Sequence, residues 1–317
     1  MNSSLLAKNI RLFYDKKMDE LSLEKRFHYV SRLYFWSRMK KYHNQIQKLK
    51  DHYLKNEDEF VIFINDLKKV DKKAYIKNNK NSSPFWGDMR KQAKQKRFKI
   101  SGITQIVSSI RQYKQFYNTD YSELFNEIYG ISSYTEIVEW LLEDTSSIFS
   151  LSTSSMNFIY WMQPYFKKTL ITPEKIYEII TTWIGKYKDT LPATVTGLVL
   201  YTITHAIIGE SKFYEKSIEN VAWYQKLLQL WELYLWKSYV KIKLDIKLEF
   251  DLCCRMCGYK SSLSPVIGSE AVESWVLHGN YLIDTFNKYT WRTSTTLDWS
   301  EHRNVLFIMK NMDSPIF

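Results

Sequence analysis

The sequence predicts an all-α protein, either an αα-helical repeat or a toroid-like array of helices. Only nine glycines and six prolines occur among its 317 residues, which is too few for a fold rich in β-turns. Apolar residues recur at the spacing of amphipathic helices, and turn residues separate most of these runs. No Gly, Pro or Asn lies between Asn220 and Gly258, so a helix that enters this stretch has no turn at which to become a strand.

The expected helices follow from these runs and from the signals at their ends. Thr172, Pro173 and Glu174 give one helix a capping residue, a proline at its first position and an acid in its first turn. Ser22 opens a long helix, and Gly258 is expected to end another in the left-handed conformation. We expect helices at residues 4–18, 22–54, 58–70, 101–117, 121–143, 146–166, 173–187, 192–209, 217–258, 270–288 and 299–311.

Residues 240–252 contain a pattern that conflicts with this fold class. Their apolar side chains alternate, as they do in a strand. Because turn residues are absent, we still predict that residues 240–257 are helical, as one helix or a tight helix pair buried on most sides. Asp245 and Glu249 then lie one turn apart on one face. Buried carboxylates are costly unless paired, so both are expected to pair with buried cations or to belong to a polar site.

The net charge of +11 comes from the N-terminal part of the chain. Residues 1–100 hold 25 Lys and Arg against 11 Asp and Glu, whereas residues 101–317 hold 20 against 23. Residues 67–99, with 12 basic and two acidic side chains, are a candidate surface for an acidic peptide or protein partner. A solvated surface is the alternative. Nucleic-acid binding is less favoured because Lys outnumbers Arg there.

These shifts in composition also indicate how the chain is organised. We predict N-terminal helices at 1–70, a basic loop and helix at 71–99 and a main helical domain at 100–317, or one continuous domain. The start of the sequence is polar and lacks the pattern of a signal peptide, and the longest charge-free run, Thr190–Gly209, is rich in threonine. We therefore expect a cytoplasmic protein with no membrane segment.

The three cysteines lie together, and two of them could be metal ligands. Cys254 and Cys257 form a C-x-x-C pair that shares one helix face. A structural zinc site needs four ligands, so the remaining ligands would have to come from His278 or His302. Buried cysteines that act as small apolar residues are the alternative.

Three histidines, each in an otherwise apolar helical stretch, are the candidate catalytic residues together with one acid. His205, His278 and His302 are expected to point inward, where a neutral imidazole can act as a general acid or base. Glu249 is the acid expected to contact one of them. The alternative for each histidine is a hydrogen-bonded place in the core.

Two classes of enzyme lack their sequence signals here. No D-D-x-x-D or D-x-D-D motif of a terpene cyclase occurs, and none of the glycines forms a phosphate-binding loop. The aromatic content of 16% is compatible with a cavity for an apolar ligand and with ordinary packing between helices. The sequence does not decide whether the protein is an enzyme.

The blocks YTITHAIIG, DIKLEFDLCCRMCG and WSEHRNVLF resemble an uncharacterised bacterial family of all-helical, toroid-like proteins found near natural-product gene clusters. The resemblance covers roughly the last 130 residues. The layout around Cys257-Gly258 and His278-Gly279 is also similar to lanthionine cyclases, although the Trp-Cys and Cys-His-Gly elements are missing. The resemblance implies a helical cavity, lined by the histidine-bearing blocks, in a protein that tailors peptide natural products.

Two functions are therefore expected from different classes. One is the binding of a peptide or small metabolite in a helical cavity, in peptide tailoring. The other is a non-enzymatic helical scaffold that binds an acidic peptide or protein through residues 67–99.

Overall fold

The structure is a computed structural model. It describes residues 2–53, 56, 58–62, 107–121, 123, 131–143, 148–149, 151–166, 169, 171–187, 193–284 and 296–317. Within these ranges the regular structure is helical and contains no strand, which confirms the all-α prediction. The basic segment 67–99, with the loop and helix expected at 71–99, lies outside the described residues, as do parts of several expected helices: residues 63–70, 101–106, 124–130, 146–147 and 285–288.

The principal helices are α1 (Ser3–Lys17), α2 (Leu23–Ser37), α3 (Lys40–Tyr53), α4 (Ile131–Glu143), α5 (Thr153–Phe166), α6 (Pro173–Tyr187), α7 (Ala193–Glu210), α8 (Val221–Ser238), α9 (Leu244–Met256), α10 (Ser264–His278) and α11 (Leu297–Asn311). Residues 107–117 are helical as well. None of the described helices has both the length and the apolar character needed to cross a membrane.

The chain forms two compact units. The first consists of Met1–Tyr53 and Leu191–Phe317, and the second of Leu54–Thr190. In the second unit the Phe60 ring stacks on the Tyr113 ring, with ring centroids 4.4 Å apart, and α4 packs against α5. The boundaries predicted at residues 70 and 100 fall in a stretch outside the described residues and stay predictions.

Helix α9 lies in the middle of the first unit, against α7, α8, α10 and α11. Eleven of its 13 residues are buried. This burial explains the alternating pattern, because a helix covered on all sides needs no polar face. The prediction of helix in place of strand is therefore confirmed for Leu244–Met256, whereas Ile242 and Lys243 are extended.

The chain between α8 and α9 departs from a single helix over 217–258. A 3₁₀ turn at Tyr239–Lys241 and extended backbone at Ile242 and Lys243 divide it into two helices. Gly258 ends α9 at φ +60°, as predicted. The Tyr259 amide donates to the Cys254 carbonyl at 2.8 Å and the Gly258 amide to the Arg255 carbonyl at 3.0 Å, which is the Schellman arrangement.

The bounds of two expected helices were wrong. The helix predicted over 22–54 ends at Ser37, because Arg38 takes the left-handed conformation and its guanidinium donates to the Glu215 carbonyl at 3.0 Å. The helix predicted over 270–288 begins at Ser264, with Pro265 in its first turn, where proline is tolerated. It ends at Gly279, whose φ is +91°.

Gly258→Ala should lower the free energy of unfolding by about 1 kcal/mol, since an L-residue is strained in the left-handed conformation. A methyl group there meets nothing within 4 Å, so strain alone would act. Gly185→Ala is the matched control: its methyl group also has open space, but its backbone is helical, and we expect no loss of stability. Urea unfolding of both variants measures the difference, and equal stabilities would contradict the role of Gly258.

Candidate functional site

Four helices of the first unit bring histidines and carboxylates together. They are α2 and α11, which pack on each other, and α9, which contacts α7 and α11. We call the resulting group the histidine–carboxylate cluster; its members are His28, His205, Asp245, Glu249, Glu301 and His302. Because α2 comes from the N-terminal part of the chain, the cluster joins residues that are almost 275 positions apart in sequence.

His302 is fixed by Asp245. The Nδ1 atom of His302 lies 2.8 Å from Oδ1 of Asp245, and the Tyr201 hydroxyl donates to Oδ2 at 3.2 Å. Burial works against ionisation of Asp245, but the interaction with His302 outweighs it and the pKa of this carboxyl is lowered. An ionised Asp245 holds a proton on Nδ1 of His302, which leaves Nε2 as the ring atom that can accept a proton.

Glu249 lies one turn after Asp245 and faces two imidazoles. Its Oε1 accepts a hydrogen bond from the Thr204 hydroxyl and lies 3.5 Å from Nε2 of His205. Its Oε2 lies 3.8 Å from Nε2 of His302 and has no hydrogen-bond partner among the described residues, although the side chain is 1% exposed. Burial raises the pKa of Glu249, and His302 and Thr204 offset only part of that effect.

A second histidine–carboxylate pair lies beside the first. Nδ1 of His28 is 2.8 Å from both carboxylate oxygens of Glu301, and the Lys25 ammonium lies 3.5 Å from Oε2. Burial lowers the pKa of His28 to about 4, despite the nearby carboxylate. Burial alone would raise the pKa of Glu301, but its interactions with His28 and Lys25 hold it below its usual range. The His28 and His302 rings are 5.7 Å apart.

The imidazoles are accessible and most of the carboxylates are not. His28 and His302 keep 29% and 25% of their side-chain surface exposed, whereas Glu301 is fully buried. Burial lowers the pKa of His205 to about 3, so this ring is neutral at physiological pH. The cluster therefore presents imidazole nitrogens, among them the neutral ring of His28, to a molecule that approaches from solvent, with buried carboxylates behind them. This arrangement can accept, hold and return a proton.

The structure brings three of the four predicted catalytic residues together. His205 and His302 both face Glu249, while His278 does not join them. His278 is the last residue of α10, and its ring packs at 4.2 Å from the Tyr281 ring. In the part of the chain that the structure describes, it contacts neither Glu249 nor the other two histidines. The apolar stretch around His278 was a poor guide because Val276 and Leu277 are 67% exposed.

Cys254 and Cys257 are placed as the apolar alternative predicts. Both are buried free thiols, and burial raises the pKa of Cys257 to about 12. The histidines expected to complete a zinc site, His278 and His302, contact Tyr281 and Asp245 instead. No group of three or more His, Cys, Asp or Glu suited to a metal ion occurs within the described ranges.

His28 was missed at the sequence level. It lies in an amphipathic helix far from the C-terminal blocks, and nothing in its own segment links it to Glu301. One signal was present: Glu301 and His302 are adjacent in an apolar helix, so a buried Glu301 needs a cationic or donor partner from another element.

Comparisons with protein-family models, with curated proteins and with solved structures found no match to this chain. The site is therefore interpreted from its own geometry.

The lowered pKa of His28 predicts a pH-dependent stability. Between the unfolded pKa of 6.5 and the folded value of about 4, the unfolded chain binds a proton that the folded chain does not. Stability from this group is therefore lost as the pH falls through that window, on the order of 1–3 kcal/mol. The raised pKa of Glu249 has the opposite effect on the pH dependence of stability. The wild type alone therefore does not isolate the contribution of His28, and a variant is needed.

His28→Gln keeps a donor for Glu301 and removes the titration. Urea unfolding at pH 7 and pH 4.5 should show a smaller loss of stability for His28→Gln than for the wild type. The exposed His52 provides the control His52→Gln, which should behave like the wild type. An equal pH dependence in all three proteins would contradict the buried, neutral state of His28.

Proposed function

We propose that this protein binds a peptide or small metabolite at the histidine–carboxylate cluster and catalyses a proton transfer on it, with His302 as the general base. One observation carries the proposal: Nδ1 of His302 is held by Asp245 at 2.8 Å while Nε2 faces the unpartnered Oε2 of Glu249 at 3.8 Å. That separation is too long for a hydrogen bond. A donor group of a ligand that comes within reach of both atoms would satisfy them together.

Asp245 and Glu249 differ in pKa in the way that an acid–base site requires. The pKa of Asp245 is lowered and that of Glu249 is raised, although the two residues lie one turn apart on α9. Different environments thus assign different roles to two carboxyls of one helix. Asp245 orients His302 and stabilises its positively charged form, and Glu249 can hold a proton and donate it.

The proton path is short. A ligand proton taken up by Nε2 of His302 leaves an imidazolium between the Asp245 and Glu249 carboxyls, which stabilise its charge. Glu249, in its protonated form, can then return a proton to the ligand. Both His302 and Asp245 retain some exposure, 25% and 20%, so a ligand can reach the ring.

The resemblance of the C-terminal blocks supports a setting in the cytoplasmic tailoring of bacterial peptide natural products. The alternative, a non-enzymatic scaffold for an acidic partner, depends on residues 67–99. These residues lie outside the described ranges, and no described contact favours that function over the first.

His302→Ala should abolish ligand binding and turnover while the protein stays folded. The probe is a library of short peptides and polar metabolites, screened by thermal shift and checked by mass spectrometry for a chemical change. Ligands that stabilise the wild type should have no effect on His302→Ala or Glu249→Gln. His278→Ala, which removes a histidine outside the cluster, is the matched control and should bind like the wild type.

A purely structural role for His302 predicts a different result. Removal of a core histidine leaves Asp245 unsatisfied and lowers the free energy of unfolding by about 1–3 kcal/mol. The folded variant would still bind the ligand. Unchanged binding and turnover in His302→Ala, together with a lowered melting temperature, would therefore overturn the proposal.

A further inference from the structure

Three buried polar atoms of the first unit have no hydrogen-bond partner among the described residues. They are Oε2 of Glu249, Nη1 of Arg32 and the hydroxyl oxygen of Tyr214. Buried polar atoms are normally satisfied, so each orphan atom requires an explanation. An acceptor, a cationic donor and a hydroxyl that all lack partners indicate a place where a ligand supplies them.

Arg32 belongs to the surroundings of the cluster. It follows His28 by four residues on α2, so the two side chains share a helix face. Its guanidinium carbon lies 5.7 Å from the centre of the Tyr214 ring. The His28 ring lies 5.7 Å from the His302 ring, and Nε2 of His302 faces Glu249, so the helix face that carries Arg32 adjoins the cluster. Burial lowers the pKa of His28 and of His205, and the charge of Arg32 adds to that effect.

Arg32 and Glu249 nevertheless do not pair. Within the ranges that the structure describes, no carboxylate lies within 4.0 Å of the Arg32 guanidinium, and Glu249 contacts only Thr204, His205 and His302 through its oxygens. Two opposite charges that lie in one region and stay apart can bind a ligand that carries the complementary pair. The guanidinium matches a carboxylate in charge and geometry. The Glu249 oxygen and Nε2 of His302 match the donors of an ammonium group.

We propose that the cluster recognises a zwitterionic ligand that carries an ammonium group and a carboxylate close together, as a free α-amino acid does. The ammonium donates to Oε2 of Glu249 and Nε2 of His302, and the carboxylate accepts from Nη1 of Arg32 and from the Tyr214 hydroxyl. This inference rests on the proposed function, because it names the ligand class of the same site. It also gives a common role to Arg32 on α2 and to Tyr214, which lies in the loop after α7.

The experiment compares three probe pools on the full chain. The first is an equimolar pool of free L-amino acids, the second contains the same compounds as N-acetyl derivatives, and the third contains them as C-terminal amides. Saturation-transfer NMR identifies which compounds bind, and titration calorimetry gives their affinities. We expect the free amino acids to bind at least tenfold more tightly than either derivative. Dipeptides, whose termini are further apart, form a fourth arm and should bind more weakly than the free compounds.

Two variants test which side chain binds each charged group of the ligand. Arg32→Gln should weaken binding of the free amino acids about tenfold or more and remove the preference over the amides. Glu249→Gln should remove the preference over the N-acetyl derivatives. Arg26→Gln on the same helix is the control, because the Arg26 guanidinium pairs with Asp19, and it should leave affinity unchanged. Circular dichroism checks folding, and Arg32→Lys, which keeps the charge, serves if Arg32→Gln does not fold.

Three outcomes would overturn the inference. Amides that bind as tightly as the free amino acids would refute the proposed carboxylate-binding site. N-acetyl derivatives that bind as tightly would refute the proposed ammonium-binding site. Failure of all pools, while ligands from the peptide and metabolite library still bind in a His302-dependent way, would refute the zwitterionic ligand and leave the proposed function standing. Failure of every probe, the library included, would refute both.

Discussion

Neutralisation of the charged side chains on α9 is the constraint on which the rest of the first unit depends. This helix is covered on nearly all sides, yet it carries Asp245, Lys247, Glu249 and Asp251 within seven residues. A buried charge without a partner costs several kcal/mol, so each of these side chains restricts what can pack beside it. The arrangement of the neighbouring helices follows from the partners that they supply.

Each charge on α9 connects it to a particular neighbour. Lys247 binds both oxygens of Glu270 on α10, at 3.0 and 2.8 Å, and lies 3.9 Å from the centre of the Tyr239 ring. The Lys310 ammonium on α11 lies 3.1 Å from Asp251, which also accepts from Ser264 at the start of α10. These pairs fix the rotation of α9 about its axis, since any other rotation would bury the same charges against apolar side chains.

Glu249 is the member of this series with a buried oxygen that has no hydrogen-bond partner among the described residues. Thr204 donates to one of its oxygens, and the other faces the His302 ring at a distance longer than a hydrogen bond. The three neighbouring charges on α9 are satisfied at ordinary distances, so the difference is not a general property of the helix. A buried polar group without a partner, on a helix whose other buried charged groups are satisfied, is a usual sign of a functional site.

The sequence was informative wherever a single segment carried the whole signal. The absence of turn residues between Asn220 and Gly258 outweighed the strand-like alternation, and Gly258 itself marked the end of α9. The spacing of Asp245 and Glu249 placed both on one face. It could not reveal His28 or Arg32, because their place beside α11 depends on how the N-terminal helices pack on the C-terminal ones. Nor could it place the break at Ile242 and Lys243, which no glycine or proline marks.

The cluster also imposes a proton balance on whatever binds there. Burial raises the pKa of Glu249, and the His302 ring, 3.8 Å away, offsets only part of that effect. Burial therefore favours a proton on Glu249 when nothing else donates to Oε2. A ligand that brings donors of its own removes that need, so Glu249 can give this proton to the bound ligand. Binding and proton transfer at this site are therefore coupled through Glu249, and the same burial that destabilises its charge makes the coupling strong.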